Sequence, residues 1–590
     1  DLRTQNNLAG IVTLTATAGT KSDITLGDNL VAGLALTIDG SILLVDNISL
    51  SGDGISLPNS VGIDADGFSL GLDGKSGSAT PGSVSVTGPI NNVNVLTLQD
   101  AAGATFSSTV DGSSISINSA TTGTVLFSNA VTLGAGFSAA AGSFDLSLLG
   151  NGTSVNGQAS FQNTKALILG DNDSDTLAFA SGLSRNGSTF ATKMQGIISF
   201  GGAATLTGVV PTNSTGLLNL TGDTLTLGFS TGSFGALTLT ANGNVSLTAG
   251  PVGSTTLTIM GTSISQSGTA TLAPSGLATL TATGNISLPL NNNFANVTFN
   301  GANVTLTDTN ALGIAGPSSA SGNLVLSTGG VISQSGKLEV TGTTSLAAGA
   351  ANNITLADAN NSFGGAVTVV SGLDVSLTDS SNLVLGTSTI SGILTAQAVT
   401  GSISQSGALT VTGVTNLTVS SSDDVVLQQT TNNFKGAVTV TGATNVTLGN
   451  ATDFTLNVAN KGITSVSVSG DATVASSAAT GLKLGNSAIG GSLNASSSAG
   501  DLVDSGVVTV GGTASFSTTT ANSDITLDQT TVNGSVAFNT AGTTGNASFN
   551  TSGGISLAAS TINGNLALTS PSAITQLVAI TVTGTTNLTG

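Results

Sequence analysis

Residues 401–407 read GSISQSG, and near-copies stand at 261–268 (GTSISQSG) and 330–336 (GVISQSG), with a fainter echo, SAITQLV, at 572–578. A short peptide that returns with Ser and Gln is either a reactive loop used repeatedly or part of a wall. The surrounding phrases keep step with it. Ile264, Ile332 and Ile403 recur at steps of about 70 residues, long enough for a structural repeat. A Phe followed, after two or three residues, by (Val/Leu)-Thr recurs at Phe234, Phe294, Phe363 and Phe434, the last two steps again about 70 residues and the first somewhat shorter. VTGTTSL (340–346), VTGVTNL (411–417) and VTGTTNL (582–588) follow at a constant offset.

The local period is two. LALTID (34–39), SVSVTG (83–88), AVTVVS (366–371), ALTVTG (408–413) and AVTVTG (437–442) alternate apolar residues with Ser or Thr, the pattern of a half-buried strand. Branched Val, Ile and Thr favour such strands, and the Gly, Asn, Asp and Ser between them favour turns. No segment gathers apolar residues at helical spacing. The reading is all-β without significant helix. Short strands follow one another closely along 366–440, each bounded by turn residues. A ~70-residue repeat of such small apolar residues cannot easily close its own core, so coils of ~20–25 residues stack, about three to each long repeat. The predicted fold is a parallel β-helix (β-solenoid), and about 25 coils at ~4.8 Å would make an elongated rod over roughly 100 Å long. Two regions are expected: 1–225, an irregular β-solenoid with loops, holding Arg3, Arg185 and the polar insert GDNDSD (170–175), and 226–590, a regular one with the ~70-residue repeat.

Composition limits the function classes. Charged residues are 7% of 590, and the net charge is −19, from 28 Asp, one Glu (Glu339) and ten Lys or Arg. Nucleic-acid binding needs clustered cations, so no nucleic acid is expected as a partner. No window has the ~18 apolar residues of a membrane span, so no membrane insertion is expected. There is no Cys and no His, which removes disulfides and thiolate metal sites. The chain opens at Asp1 without Met, as a processed product or a fragment would. A terminal solenoid coil carries unpaired edges, so other copies or neighbouring segments are expected end to end.

NNITLADANNSFGGAVTV (352–369), ANVTLTDTNAL (302–312), GSISQSGALTVTG (401–413) and VTGTTNLTG (582–590) resemble the β-strand repeats of filamentous-haemagglutinin-like surface exoproteins, the adhesins of two-partner secretion. The resemblance covers about 230–450 and 560–590. It implies a right-handed parallel β-helix outside a Gram-negative cell. The family's secretion module, with its Asn-Pro-Asn motif, is not found here.

A serine nucleophile requires a base, and GSISQSG has neither His nor the Gly spacing of a nucleophile elbow. Lys337 follows one copy only. The expectation is a strand entering a turn, Ile403 inward and Gln outward or stacked, with Gln266, Gln334 and Gln405 too far apart for a continuous ladder. Asp423 and Asp424 are adjacent and would face opposite ways on a strand. Asp171, Asp173 and Asp175 share one side of an extended loop and are the metal candidates, for Ca²⁺, against a solvated turn. No other cofactor is expected. Thr-x-Thr runs such as TLTAT (13–17) and LTLT (237–240) raise an ice-binding face, set aside because they move against the frame of the long repeat. N-x-(Ser/Thr) triplets at Asn47, Asn151, Asn213, Asn219, Asn303, Asn416, Asn445 and Asn587 are glycosylation candidates in an exported chain. Phe294, Phe363 and Phe434 read as core fillers.

The expected function is an extracellular, non-enzymatic solenoid at the bacterial cell surface, an adhesin shaft or fibre subunit that meets host or surface glycans or proteins. The alternatives are a carbohydrate-active (lyase- or hydrolase-like) β-helix and an ice-binding solenoid.

Overall fold

The computed structural model describes residues 6–16, 23–58, 60–77, 79–185, 190–429, 431–444, 446–450, 454–458, 463–468, 470–476 and 480–590. None of these is helical. The chain forms two compact units, 1–301 and 302–590, and each is a stack of parallel coils, as the alternation predicts.

In the second unit a coil has three strands. Val304–Asp308, Leu312–Ile314 and Ser318–Ala320 occupy three successive faces. The next coil lays Leu324–Thr328, Ile332–Gln334 and Leu338–Val340 on them in the same order and in unbroken register. In the first unit some corners are absorbed into long strands. Pro251–Gly261, of 11 residues, pairs with two successive strands of the following coil, Thr271–Pro274 and Leu277–Ala282. The pairing crosses residue 225 without a change of type: Ser199 pairs with Thr221, and Leu225 with Val245.

Because the coils are in register, each inward position becomes a column. In the first unit Leu177, Ile198, Leu220, Leu239, Ile259, Leu280 and Phe299 stack in successive coils, and all are buried. Aromatic rings form a second spine. Phe106 and Phe127 stack at 4.6 Å, and the contacts continue through Phe137, Phe161 and Phe179 to Phe200. Phe294, Phe363 and Phe434 are buried core fillers, as expected.

One detail of the repeat differs from expectation. The column through Ile332 continues to Ile354, Val375, Leu394 and Thr415. Ile403 is not on it; it pairs with Leu383 and Val425 on another face. The interval from Ile332 to Ile403 is therefore not a whole number of coils. It is three coils plus one face, so the SQSG corner moves to a neighbouring face at each return.

The VTG glycine Gly413 stacks at one turn between Gly392 and Gly436 of the neighbouring coils. A Cβ on Gly413 would stand 2.6 Å from the Gly392 carbonyl oxygen, and one on Gly436 2.3 Å from that of Gly413. Close backbone approach, with no need for an unusual φ, selects Gly there.

Leu239→Ala removes a buried column member with neighbours above and below. It should destabilise the first unit by about 2–5 kcal/mol, seen as an earlier transition in urea denaturation, whereas Thr238→Ala on the outer side of the same strand should shift it far less.

Candidate functional site

The GSISQSG corners are the most elaborate polar construction in the chain. Ile264, Ile332 and Ile403 point inward and are fully buried. The Gln that follows each does not reach another Gln. It reaches an Asn in the coil above. Gln334 Nε2 donates to Asn361 Oδ1 (2.8 Å), and Asn361 Nδ2 donates back to Gln334 Oε1 (2.9 Å). Gln405 and Asn432 repeat the exchange at 2.9 and 2.9 Å, as do Gln266 and Asn292 at 2.5 and 3.2 Å.

Each Asn is also tied to backbone. Its Oδ1 accepts the N–H of Leu272, Leu338 or Leu409 at 2.8–2.9 Å. Its Nδ2 donates to the carbonyl of Leu288, Leu356 or Leu427. All three Asn are fully buried, where an unpaired amide is costly. The clasp thus closes a corner and sets the coil above it. The signal is present in the sequence: Asn292, Asn361 and Asn432 each stand just before a repeated Phe, at a nearly constant offset from Gln266, Gln334 and Gln405.

A second polar device occupies exposed turns. Asp501 Oδ1 accepts the N–H of Asp524, Asp524 Oδ1 that of Asn546, Asn546 Oδ1 that of Asn565, and Asn565 Oδ1 that of Thr585, at 2.7–2.8 Å. Asn303, Asn323 and Thr343 do the same. These turn N–H groups are satisfied by the side chain one coil below.

The other sequence candidates take structural positions. Asp175 is turned inward, and its Oδ2 accepts the N–H groups of Asp171 and Asn172, both at 2.9 Å. Asp173 Oδ1 accepts from Gln195 Nε2 and the Leu217 N–H, both at 2.8 Å. Among the described residues no three Asp or Glu converge on a point that could hold a metal ion. Burial, the charge of Asp175 and a hydrogen bond to it push the Asp171 carboxyl above its ordinary value. The Leu217 N–H and the Gln195 amide hold Asp173 below it.

Asp423 accepts the Ser420 hydroxyl, and the Asp424 N–H donates to Ser402 Oγ at 3.0 Å. Lys337 is ion-paired with Glu339. Arg185, buried, donates to Thr192 Oγ1 at 2.8 Å and to the carbonyls of Lys165 and Ala191, and desolvation lowers its pKa to about 10. Among the sequons, the Oδ1 of Asn47, Asn151 and Asn303 accepts a backbone N–H of the coil above, and that of Asn213 accepts one from its own turn. Asn219, Asn416 and Asn587 lie within strands. Asn445, Thr17 and Arg3 lie outside the described residues.

The reason for setting the Thr-x-Thr runs aside does not hold between 219 and 300. Thr238, Thr258, Thr279 and Thr298 pair in register on consecutive coils. The single coil sets their register, and the long repeat does not.

Coil-on-coil parallel pairing with buried side-chain columns defines a β-solenoid repeat protein. The chain belongs to a family described as repeats of unknown function (DUF5649), whose model matches residues 235–300, 301–370, 372–441, 469–541 and 544–590. No curated protein and no solved structure matches it.

Asn361→Ala removes the acceptor of the buried Leu338 N–H and one partner of Gln334, which keeps the Gly336 carbonyl, and should cost about 1–3 kcal/mol for the buried group left unpaired. Hydrogen exchange at the Leu338 amide should accelerate in that variant and much less in Gln334→Ala, whose half-exposed partner position admits water. At Asp171 and Asp173 the signs are opposite. A raised folded pKa gives stability below the unfolded value near 3.9 that is lost as pH rises; a depressed one gives stability above it that is lost as pH falls. At pH 7 Asp171→Asn should raise the melting temperature and Asp173→Asn lower it, with both differences shrinking at about pH 2.

Proposed function

We propose that the chain serves as a structural, non-enzymatic segment of a bacterial surface adhesin or cell-surface fibre, outside the cell. The observation that carries this reading is where the chain invests its polar chemistry. Its Gln–Asn clasps and turn ladders bind coil to coil, and the carboxylates of Asp173 and Asp175 hold backbone N–H groups. Such joints resist peeling of one coil from the next, which a load-bearing shaft requires. A charge content of 7% leaves few ion pairs for salt or acid to disrupt. The wording of the repeats, similar to filamentous-haemagglutinin-like exoproteins, supports the same reading. Partners are then neighbouring segments or copies end to end, with glycans or proteins of a host or surface at the outer faces.

Two measurements test it. Antibodies against the chain should label intact cells of the source organism; labelling only after permeabilisation would end the surface reading. Electron microscopy of the purified chain should show thin rods. Discrete rods favour a shaft segment and long uniform filaments a self-assembling subunit, while rounded particles count against both.

A further inference from the structure

The outer surface of the first unit carries an ordered array that the structural role does not need. Asn219, Thr238, Thr258, Thr279 and Thr298 form one column. Thr221, Thr240, Met260, Thr281 and Asn300 form a second, two positions along the same strands. None of the ten is charged, and seven are Thr. The seven threonines are all partly exposed, on the outward side of their strands.

The geometry is fixed from beneath. The inward neighbours Leu220, Leu239, Ile259, Leu280 and Phe299 lie between the two columns and are buried and paired in the same register. Thr has a restricted χ1, so identical backbone settings repeat the same hydroxyl direction. Thr279 and Thr298 already join their hydroxyls at 3.4 Å. The array therefore repeats at about 4.8 Å between coils and about 6.7 Å along a strand. These spacings are close to the distances between water oxygens in planes of hexagonal ice. Water held by two hydroxyls of a rigid row is immobilised at small further entropic cost. Methyl groups between the hydroxyls keep that layer from exchanging its bonds with the protein at random.

We propose that this threonine lattice, residues 219–300, orders a layer of water and binds the surface of ice. The inference is independent of the adhesin reading. Its partner is ice itself, and no sugar or protein is required.

The test uses the full chain and slowly growing ice. The chain should be enriched in the ice fraction over a non-binding protein of similar mass, and single ice crystals grown with it should become faceted. Thr258→Tyr places a bulky ring in the middle of the lattice and should abolish both effects with an unchanged melting curve. Thr240→Tyr, in the second column, serves where the first variant melts early. Ser246→Tyr, an outward position on a different face, should leave ice binding intact. Exclusion of the parent chain from ice would overturn the proposal, as would equal enrichment of a folded lattice variant.

Discussion

Every feature of this protein depends on parallel pairing between a residue and the one about a coil earlier. The backbone bonds of one coil are made to another, so no coil satisfies itself. Whatever stands at a given position must tolerate its counterpart in the next coil directly above it. Inward positions therefore become aliphatic or aromatic columns, and close turns become glycine columns. Turn N–H groups, which no strand can reach, require an acceptor. The Asx ladder from Asp501 to Thr585 and the buried Asn of each clasp supply it. Small side chains suffice, because order along the stack replaces the bulk that a globular core would need.

The fold is legible because its determinants are local. Alternation in AVTVVS or ALTVTG marks which side chains are inward, and the structure buries Val367, Val369, Leu409 and Val411. The coil length is less legible, since the most visible echo, SQSG, belongs to the long repeat. A repeat of three coils plus one face hides the coil period from any search that aligns repeat to repeat. The same cause hides the threonine columns: Thr238 and Thr258 are in register by the coil and out of register by the long repeat. The aromatic spine of 106–200 shows what a coil-length search finds in the irregular half, since Phe106 pairs with Phe127, and Phe179 with Phe200, each exactly one coil on.

The Gln–Asn clasp escapes the sequence for a different reason. Gln266, Gln334 and Gln405 invite comparison with one another, and they are indeed remote. Their partners are of another residue type, more than a coil further on, at the end of a strand for Asn292 and in a loop for Asn361 and Asn432. A polar pair of this kind leaves no periodic trace of its own. It is visible only as a near-constant offset between two motifs, here the Gln of SQSG and the Asn that precedes Phe by two. The carboxylates at 171–175 mislead in the opposite way. Proximity in sequence suggests a shared ligand, but the turn directs Asp175 to its own backbone and Asp173 to the next coils.

This division of labour limits what family membership implies. The residues that make the repeats recognisable are inward, glycine-turn or clasp residues, since these are dictated by the coil above. Outward strand positions are less constrained, since no buried column and no turn N–H depends on them. A ligand, where there is one, is then written on outward columns such as Thr238–Thr298, and it is there, one face at a time, that members of the family can differ in function while sharing the same interior.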